Sequence, residues 1–204
     1  MPITDIGSYV TTGEEFDAHW TDVDADRVAN TLPVFALPDG YARADLTADV
    51  AAVAAAITLQ ESFDNGLSIA TSDRDAQKTV LRDRLIDFRK QIDYRLKGSR
   101  YVTSLPDTPT FRASEQVFLR AMDDMSDLWT RINADTSVAN FTPPLVFSNG
   151  ATLAPFQTDL TAMRAIYKAV VDAENDAKMG RKDRDQLLTP LRDRFVLYLS
   201  LIHI

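Results

Sequence analysis

Two blocks of charged residues are the strongest candidates for chemistry in this chain. Arginine presents a planar fork of donors that suits carboxylates and phosphates, so an anion-binding or interaction site would use such residues. A structural interpretation competes with this one, because aspartate often caps a helix and Arg–Asp neighbours three or four positions apart form weak surface pairs. We favour the structural interpretation and keep the site as the alternative. The eight candidates are Asp73, Arg74, Arg82 and Arg84, and, 110 positions later, Asp183, Arg184, Arg192 and Arg194.

Other chemically active groups are scarce. The chain has no cysteine, and its two histidines are His19 and His203, so zinc sites and histidine-activated nucleophiles lack their parts. Residues Asp22–Asp26 resemble the start of a calcium loop, but Arg27 and Pro33 replace the required glycine and glutamate. No glycine-rich phosphate loop is present either. The sequence therefore predicts no catalytic residue, no metal site and no cofactor, which disfavours an enzyme.

Charge and hydropathy restrict the classes of partner. The chain contains 30 acidic residues against 22 lysines and arginines, and its net charge is −8. Such a chain repels nucleic acids and anionic membrane surfaces. No stretch approaches the roughly 20 apolar residues of a membrane span, and Met1–Glu15 lacks the pattern of a signal peptide. We expect a protein partner, if any, and leave the compartment and the oligomeric state open.

The charged blocks belong to a longer internal repeat. Val28–Phe88 aligns without a gap with Val138–Tyr198, and both copies carry a turn signal, Pro38-Asp39-Gly40 in the first and Ser148-Asn149-Gly150 in the second. Residues 1–125 are predicted to form the first helical repeat and residues 126–204 the second.

Apolar residues recur with spacings of three and four, which is typical of one buried helix face. The pattern predicts an all-α fold with two tandem copies of a helix, a Pro/Gly linker and a helical hairpin. We expect the two hairpins to pack as a pseudo-twofold helical bundle. The stripes are Leu46, Val50, Val53 and Ile57; Leu81, Leu85, Phe88, Ile92 and Leu96; Phe118, Met122, Met125, Trp129 and Ile132; and Phe156, Leu160, Met163 and Tyr167.

Local signals predict the helix ends and one buried polar pair. Thr12 with Glu15 fits a capping box, and Ser114 fits a helix N-cap. Asn65 and Asn175 occupy equivalent places in the repeat, and we expect both to be buried and to fix the register between helices.

A break in each hairpin is predicted near the charged blocks. In the first copy it falls between residues 66 and 79, with Asp73 as the next N-cap, and Asp183 has that role in the second copy. Pro190 leaves two alternatives open, a helix that starts with Thr189 as its N-cap or one long kinked helix.

Several segments together resemble a group of long, uncharacterised proteins of environmental bacteria. They are Leu37–Tyr41, Arg74-Asp75, Leu81–Leu85, Phe88-Arg89, Ser104–Pro106, Met122–Trp129 and Phe141–Leu145. The resemblance covers most of the chain and implies no particular activity. It implies that the native protein could continue into a fibronectin-like β-sandwich.

The last residues show a different resemblance. Leu199–Ile204 is similar to the translation of a transposon-end adapter used for sequencing libraries. We therefore expect the second repeat to be cut off after Tyr198 and the native protein to be longer.

Taken together, the periodic helices and the missing catalytic parts predict a non-enzymatic helical structural or protein-interaction module of a larger bacterial protein. One alternative is a small-ligand, anion-binding or enzymatic cleft between the repeats, built from the Asp and Arg residues of the blocks. The other is a phage or virion assembly protein.

Overall fold

The apolar stripes form four α-helices, and the predicted all-α class is confirmed. A computed structural model describes residues 5–202, so His203 and Ile204 of the adapter-like segment lie outside the described residues. Within residues 5–202 there is no β-strand, only an isolated antiparallel bridge between Ala36 and Ala42. The elements are α1 (Ser8–Ala29), α2 (Arg43–Arg95), a 3₁₀ turn (Val102–Ser104), α3 (Glu115–Ala134) and α4 (Leu153–Ile202).

The helices build two compact units. Unit 1 comprises Met1–Leu67 and Ala173–Ile204, and unit 2 comprises Ser68–Asp172. Unit 1 therefore contains α1, the first part of α2 and the last part of α4. Unit 2 contains the remainder of α2, α3 and the first part of α4. Each unit thus draws on both predicted repeats, 1–125 and 126–204, and the repeat boundary itself stays a prediction.

Unit 1 has an aromatic core where α1 meets α4. The rings of Trp20 and Tyr198 stack with centroids 4.7 Å apart, and Phe16 lies 4.6 Å from Phe195. The helices of this unit approach closely at Gly13, where an added Cβ would lie 2.3 Å from Cγ2 of Val50. The buried members of this core are Trp20, Leu37, Leu46, Val50, Val53, Leu191, Phe195 and Tyr198.

Unit 2 has the larger core. Trp129 stacks on Phe147 with parallel rings 4.6 Å apart, and Phe88 packs beside both. All members of the α3 stripe are buried, as the spacing predicts. The stripes of α2 and α4 complete this core with Leu81, Leu85, Phe88, Ile92, Leu96, Phe156, Leu160, Met163 and Tyr167.

The helix starts agree with the sequence at α3 and differ at α1. Ser114 caps α3 by accepting a hydrogen bond from the backbone N–H of Val117. Thr12, in contrast, lies inside α1, which begins four residues earlier at Ser8. The carboxylate of Asp5 accepts from the N–H of Ser8 at 2.8 Å, so an upstream acid satisfies the first turn in place of the predicted capping box.

The predicted break near residues 66–79 is wrong, because α2 is one helix of 53 residues and α4 one helix of 50. The hairpin of each predicted copy is therefore replaced by an unbroken helix. Asp73 and Asp183 are exposed interior positions of these helices and cap nothing. A glycine inside a helix costs only about 1 kcal/mol, which packing elsewhere along so long a helix offsets. Pro190 lies inside α4, so of the two alternatives left open there, a helix that starts at Thr189 is wrong and one long helix is present.

The buried asparagine pair is a second correction. Asn65 and Asn175 are both exposed, so neither fixes a register inside a core. They interrupt the apolar pattern on the outer face of the helix, where a polar side chain remains solvated at no desolvation cost.

Candidate functional site

The first charged block lies on α2 within unit 2, and its arginines bind protein groups. Arg74 pairs with its neighbour Asp75 at 2.8 Å. The Nε of Arg82 donates to the carbonyl of Pro109 at 3.1 Å, and Arg84 pairs with Asp159 on α4. Asp73 is exposed. The arginines of this block therefore have separate partners and do not converge on one point.

The second block lies on α4 within unit 1. Arg184 contacts Asp185 and Gln60, whereas Arg194 pairs with Asp39 and places its guanidinium 4.5 Å from the ring centre of Tyr41. The hydrogen bond from Arg194 holds the pKa of Asp39 below its usual value.

Two members of this block, Asp183 and Arg192, are exposed. Within residues 5–202, no hydrogen bond or ion pair joins any two of the eight predicted site residues. Arg192 makes no hydrogen bond or salt bridge to the rest of the described chain.

The connection between α2 and α3 forms a strap, residues 101–113, which cationic side chains of α2 hold in place. Arg89 donates to the carbonyl of Pro106, and Arg82 donates to that of Pro109. Both prolines are buried. The contacts follow the strap in order along the helix, so a row of cations satisfies the carbonyls of an extended segment that has no ladder partner.

Lys78 completes this row, and sequence reasoning missed it. Its side chain is only 6% exposed, and its Nζ donates to the carbonyls of Phe111 at 2.7 Å and Ala113 at 3.2 Å. The ammonium also lies 5.4 and 5.2 Å from the ring centres of Phe111 and Phe118. Burial lowers the pKa of Lys78, and the nearby Arg74 adds to the effect. The sequence feature that could have predicted its burial is spacing, because Lys78 lies three residues before Leu81 and so extends the apolar stripe of α2.

A polar cluster lies where the strap meets the end of α3. The hydroxyl of Tyr101 donates to Asp135 at 2.5 Å, and Arg100 reaches the same carboxylate at 3.0 Å. Hydrogen bonds from Ser137 are the main reason that the pKa of Asp135 lies well below its usual value. A carboxylate held ionised by so many donors is a poor proton acceptor, so the cluster suits anchoring better than acid–base chemistry.

The surface beside this cluster is concave. A depression of about 580 Å³ extends from Arg100 to Leu128 and Arg131, and a second of about 460 Å³ continues along the strap towards Asp127. Both are open, and the second is lined mainly by polar groups. Arg100 and Arg131 are both exposed on this surface, and within the described residues Arg131 has no hydrogen-bond partner.

Unit 1 carries a different concave surface, here called the α1–α4 groove. It has a volume of about 420 Å³, and it adjoins a smaller depression of about 210 Å³ at His19 and Tyr198. His19, which the sequence predicts to be a partly buried helix residue, lies in α1 but is exposed, and its Nδ1 lies 2.8 Å from the hydroxyl of Tyr198. Burial raises the pKa of that tyrosine to about 12. The groove is lined by Tyr9, Thr12, Glu15, Phe16, Arg192, Phe195, Val196 and Leu199.

Comparison with known proteins identifies no relative. No protein-family model, curated protein or solved structure matches the chain. In the described part of the chain, no helix combines the length and the apolar character needed to cross a membrane. Residues 5–202 also contain no group of three or more histidine or acidic side chains arranged to hold a metal ion.

Proposed function

We propose that the chain is a non-enzymatic helical structural or protein-interaction module. The proposal rests on the contacts that the charged side chains make within the protein. Lys78, Arg82 and Arg89 bind backbone carbonyls of the strap, and Arg84 and Arg194 bind single aspartates. The groups best suited to chemistry hold helices and loops in place and do not converge on a reacting centre.

The internal duplication is part of this proposal, and matching contacts within each unit support it. In unit 1 the N–H of Gly40 donates to Leu37 at 2.9 Å, and in unit 2 that of Gly150 donates to Phe147 at 3.0 Å. Both glycines have a positive φ, 84° and 82°, which a residue without Cβ adopts at little cost. The turn signals in the two copies thus form the same turn.

The tryptophans add a second matching contact. The indole N–H of Trp20 donates to the carbonyl of Phe35 at 3.2 Å, and that of Trp129 donates to the carbonyl of Leu145 at 3.1 Å. In both units a buried tryptophan ties a helix to the linker that follows it. A duplicated scaffold of this kind offers two similar surfaces for other proteins.

The alternative of an anion-binding cleft has less support. It needs several unpaired arginines that point into one cavity, as bidentate anion recognition requires. Of the six arginines in the two blocks, only Arg192 lies free of protein partners within the described residues, and the groove that it lines also contains the acidic Glu15.

The test is an unbiased selection for peptide ligands. The intact chain, immobilised through a tag, is panned against a phage-displayed library of random peptides, and calorimetry with phosphate and citrate is run in parallel. We expect a family of related peptides that soluble chain displaces, and no measurable heat with the anions. Failure to enrich any peptide, together with saturable binding of an anion, would overturn the proposal in favour of the cleft.

A further inference from the structure

In unit 1 the side chain of Tyr41 fills the space beside the turn at Gly40. Its hydroxyl donates to Asp49 at 2.8 Å, and the guanidinium of Arg194 lies 4.5 Å from the centre of its ring. The ring centre is 6.4 Å from that of Trp20. Partial burial and the bond to Asp49 raise the pKa of Tyr41, so the hydroxyl keeps its proton and remains a donor. A cation, an indole and a carboxylate thus surround one phenol ring.

Unit 2 retains these three partners and lacks the ring. The equivalent cation and carboxylate, related by 110 positions, are Arg84 and Asp159, and the equivalent indole, related by 109, is that of Trp129. Ala151 stands in place of Tyr41. Because the alanine side chain ends at Cβ, this position no longer supplies a group that fills the space between the three partners.

A depression lies at this place in unit 2. It has a volume of about 310 Å³, and Arg84, Trp129, Ala151 and Pro155 are among the residues that line it. Ligand cavities in proteins commonly begin at about 300 Å³, so the space is sufficient for one aromatic ring. Gly150 adjoins the same open space, since a Cβ added there would meet nothing within 4 Å.

The cation and the carboxylate of this depression keep binding capacity for a ligand. Arg84 pairs with Asp159, and within the described residues neither side chain has a second hydrogen-bond or ion-pair partner. Their side chains remain 30% and 31% exposed, and a carboxylate can accept several hydrogen bonds. Asn149 replaces Asp39, which pairs with the equivalent arginine in unit 1, so the turn supplies no acid of its own.

From these contacts we propose that the depression binds a 4-hydroxyphenyl group, which places its ring against the guanidinium of Arg84 and donates its hydroxyl to Asp159. The ligand takes the place that Tyr41 has in unit 1. A cation beside an aromatic face attracts it, whereas Asp159 repels an anionic ligand and favours a neutral hydroxyl. The group belongs to a free phenol or to a tyrosine residue of another protein. The inference goes beyond the proposed interaction function, because it depends only on contacts inside unit 2.

Two probes distinguish these sources. p-Cresol represents a free phenol, and N-acetyltyrosinamide represents a tyrosine residue. Each is titrated into the full ¹⁵N-labelled chain, and the backbone amide of Gly150 and the indole N–H of Trp129 are followed by NMR. We expect saturable shifts of both signals. N-acetylphenylalaninamide lacks the hydroxyl and should bind about tenfold more weakly than the tyrosine probe, as expected for the loss of one hydrogen bond to a carboxylate.

Three variants test the location. Ala151→Tyr places a phenol of the chain in the depression and should abolish binding of both probes. Ala154→Tyr is the matched control and should leave binding unchanged, because Ala154 is exposed and lies outside the lining of the depression. Tyr41→Ala opens the equivalent space in unit 1 and should add a second site, seen as new shifts at Gly40 and Trp20. Circular dichroism verifies that each variant keeps its helix content.

The outcomes separate the inference from the proposed function. Unchanged signals of Gly150 and Trp129 up to the solubility of the probes overturn the site, and so do shifts that Ala151→Tyr and Ala154→Tyr reduce equally. Equal affinities of the tyrosine and phenylalanine probes overturn the choice of a hydroxyphenyl ligand. Tighter binding of p-cresol identifies a free phenol, and tighter binding of N-acetyltyrosinamide a tyrosine residue. The phage selection tests the interaction function independently, since peptides that bind elsewhere would still be enriched.

Discussion

Lys78→Met tests whether buried cations hold the strap in place. The variant keeps most of the apolar stem of the side chain but removes the ammonium. The carbonyls of Phe111 and Ala113 then lose the donor that lies 2.7 and 3.2 Å from them. Since Lys78 is only 6% exposed, water cannot readily replace that donor.

The magnitude follows from opposing contributions. A hydrogen bond from a charged donor is worth about 1.5–3 kcal/mol, and a cation near an aromatic ring adds about 0.5–1 kcal/mol. Burial of the ammonium opposes both, which is also why the pKa of Lys78 is lowered. We therefore expect the free energy of unfolding of unit 2 to fall by about 2 kcal/mol, close to one charged hydrogen bond.

The assay is urea denaturation followed by tryptophan fluorescence in a Trp20→Phe background, so that Trp129 reports on unit 2. Lys90→Met is the matched control, because Lys90 lies on the same helix with a side chain 72% exposed, and we expect a change within about 0.5 kcal/mol. Trypsin cleavage after Arg112 gives a local readout and should accelerate only in Lys78→Met. Equal stabilities of the two variants would show that the ammonium of Lys78 does not hold the strap in place.

The remaining predictions concern helix packing and pH. Gly13→Ala should destabilise unit 1 by about 1–3 kcal/mol, because the new Cβ would lie 2.3 Å from Val50; the loss should shrink in a Val50→Ala background, and a loss that persists there would contradict the steric cause. In Gly66→Ala the added Cβ meets nothing within 4 Å, so the substitution should stabilise the helix by about 0.5–1 kcal/mol and raise the melting temperature. A lower melting temperature would contradict this prediction. The pKa of Asp135 is lowered chiefly by Ser137, so its ionised form stabilises the fold above the ordinary aspartate pKa of about 3.9 and this contribution declines as the pH falls towards the folded-state pKa. The stability difference between wild type and Asp135→Asn should therefore narrow between about pH 4 and pH 2 in urea titrations, and a constant difference would argue against this linkage.

Local spacing was sufficient to predict the buried faces of the helices. The stripe from Phe118 to Ile132 is entirely buried, since positions three and four apart share one helix face whatever the tertiary fold. The turns at Gly40 and Gly150 were equally predictable, because a positive φ strongly favours glycine. Glycine as a signal for a helix break fails where packing opposes it. At Gly66 the predicted break is absent and α2 continues without interruption.

The contacts that the charged side chains make could not be predicted from helical spacing or from turn residues. Arg82 and Arg192 stand in the same sequence motif, yet one binds the carbonyl of Pro109 and the other lines an uncovered groove. Lys78 finds its acceptors 33 and 35 residues away, a separation at which helical periodicity carries no information. The sequence by itself determined the all-α class, the turns and most of the core, because those depend on neighbours within one or two turns. Tertiary structure alone decided which cations bind carbonyls of the strap, because these contacts depend on where the strap returns to the helices.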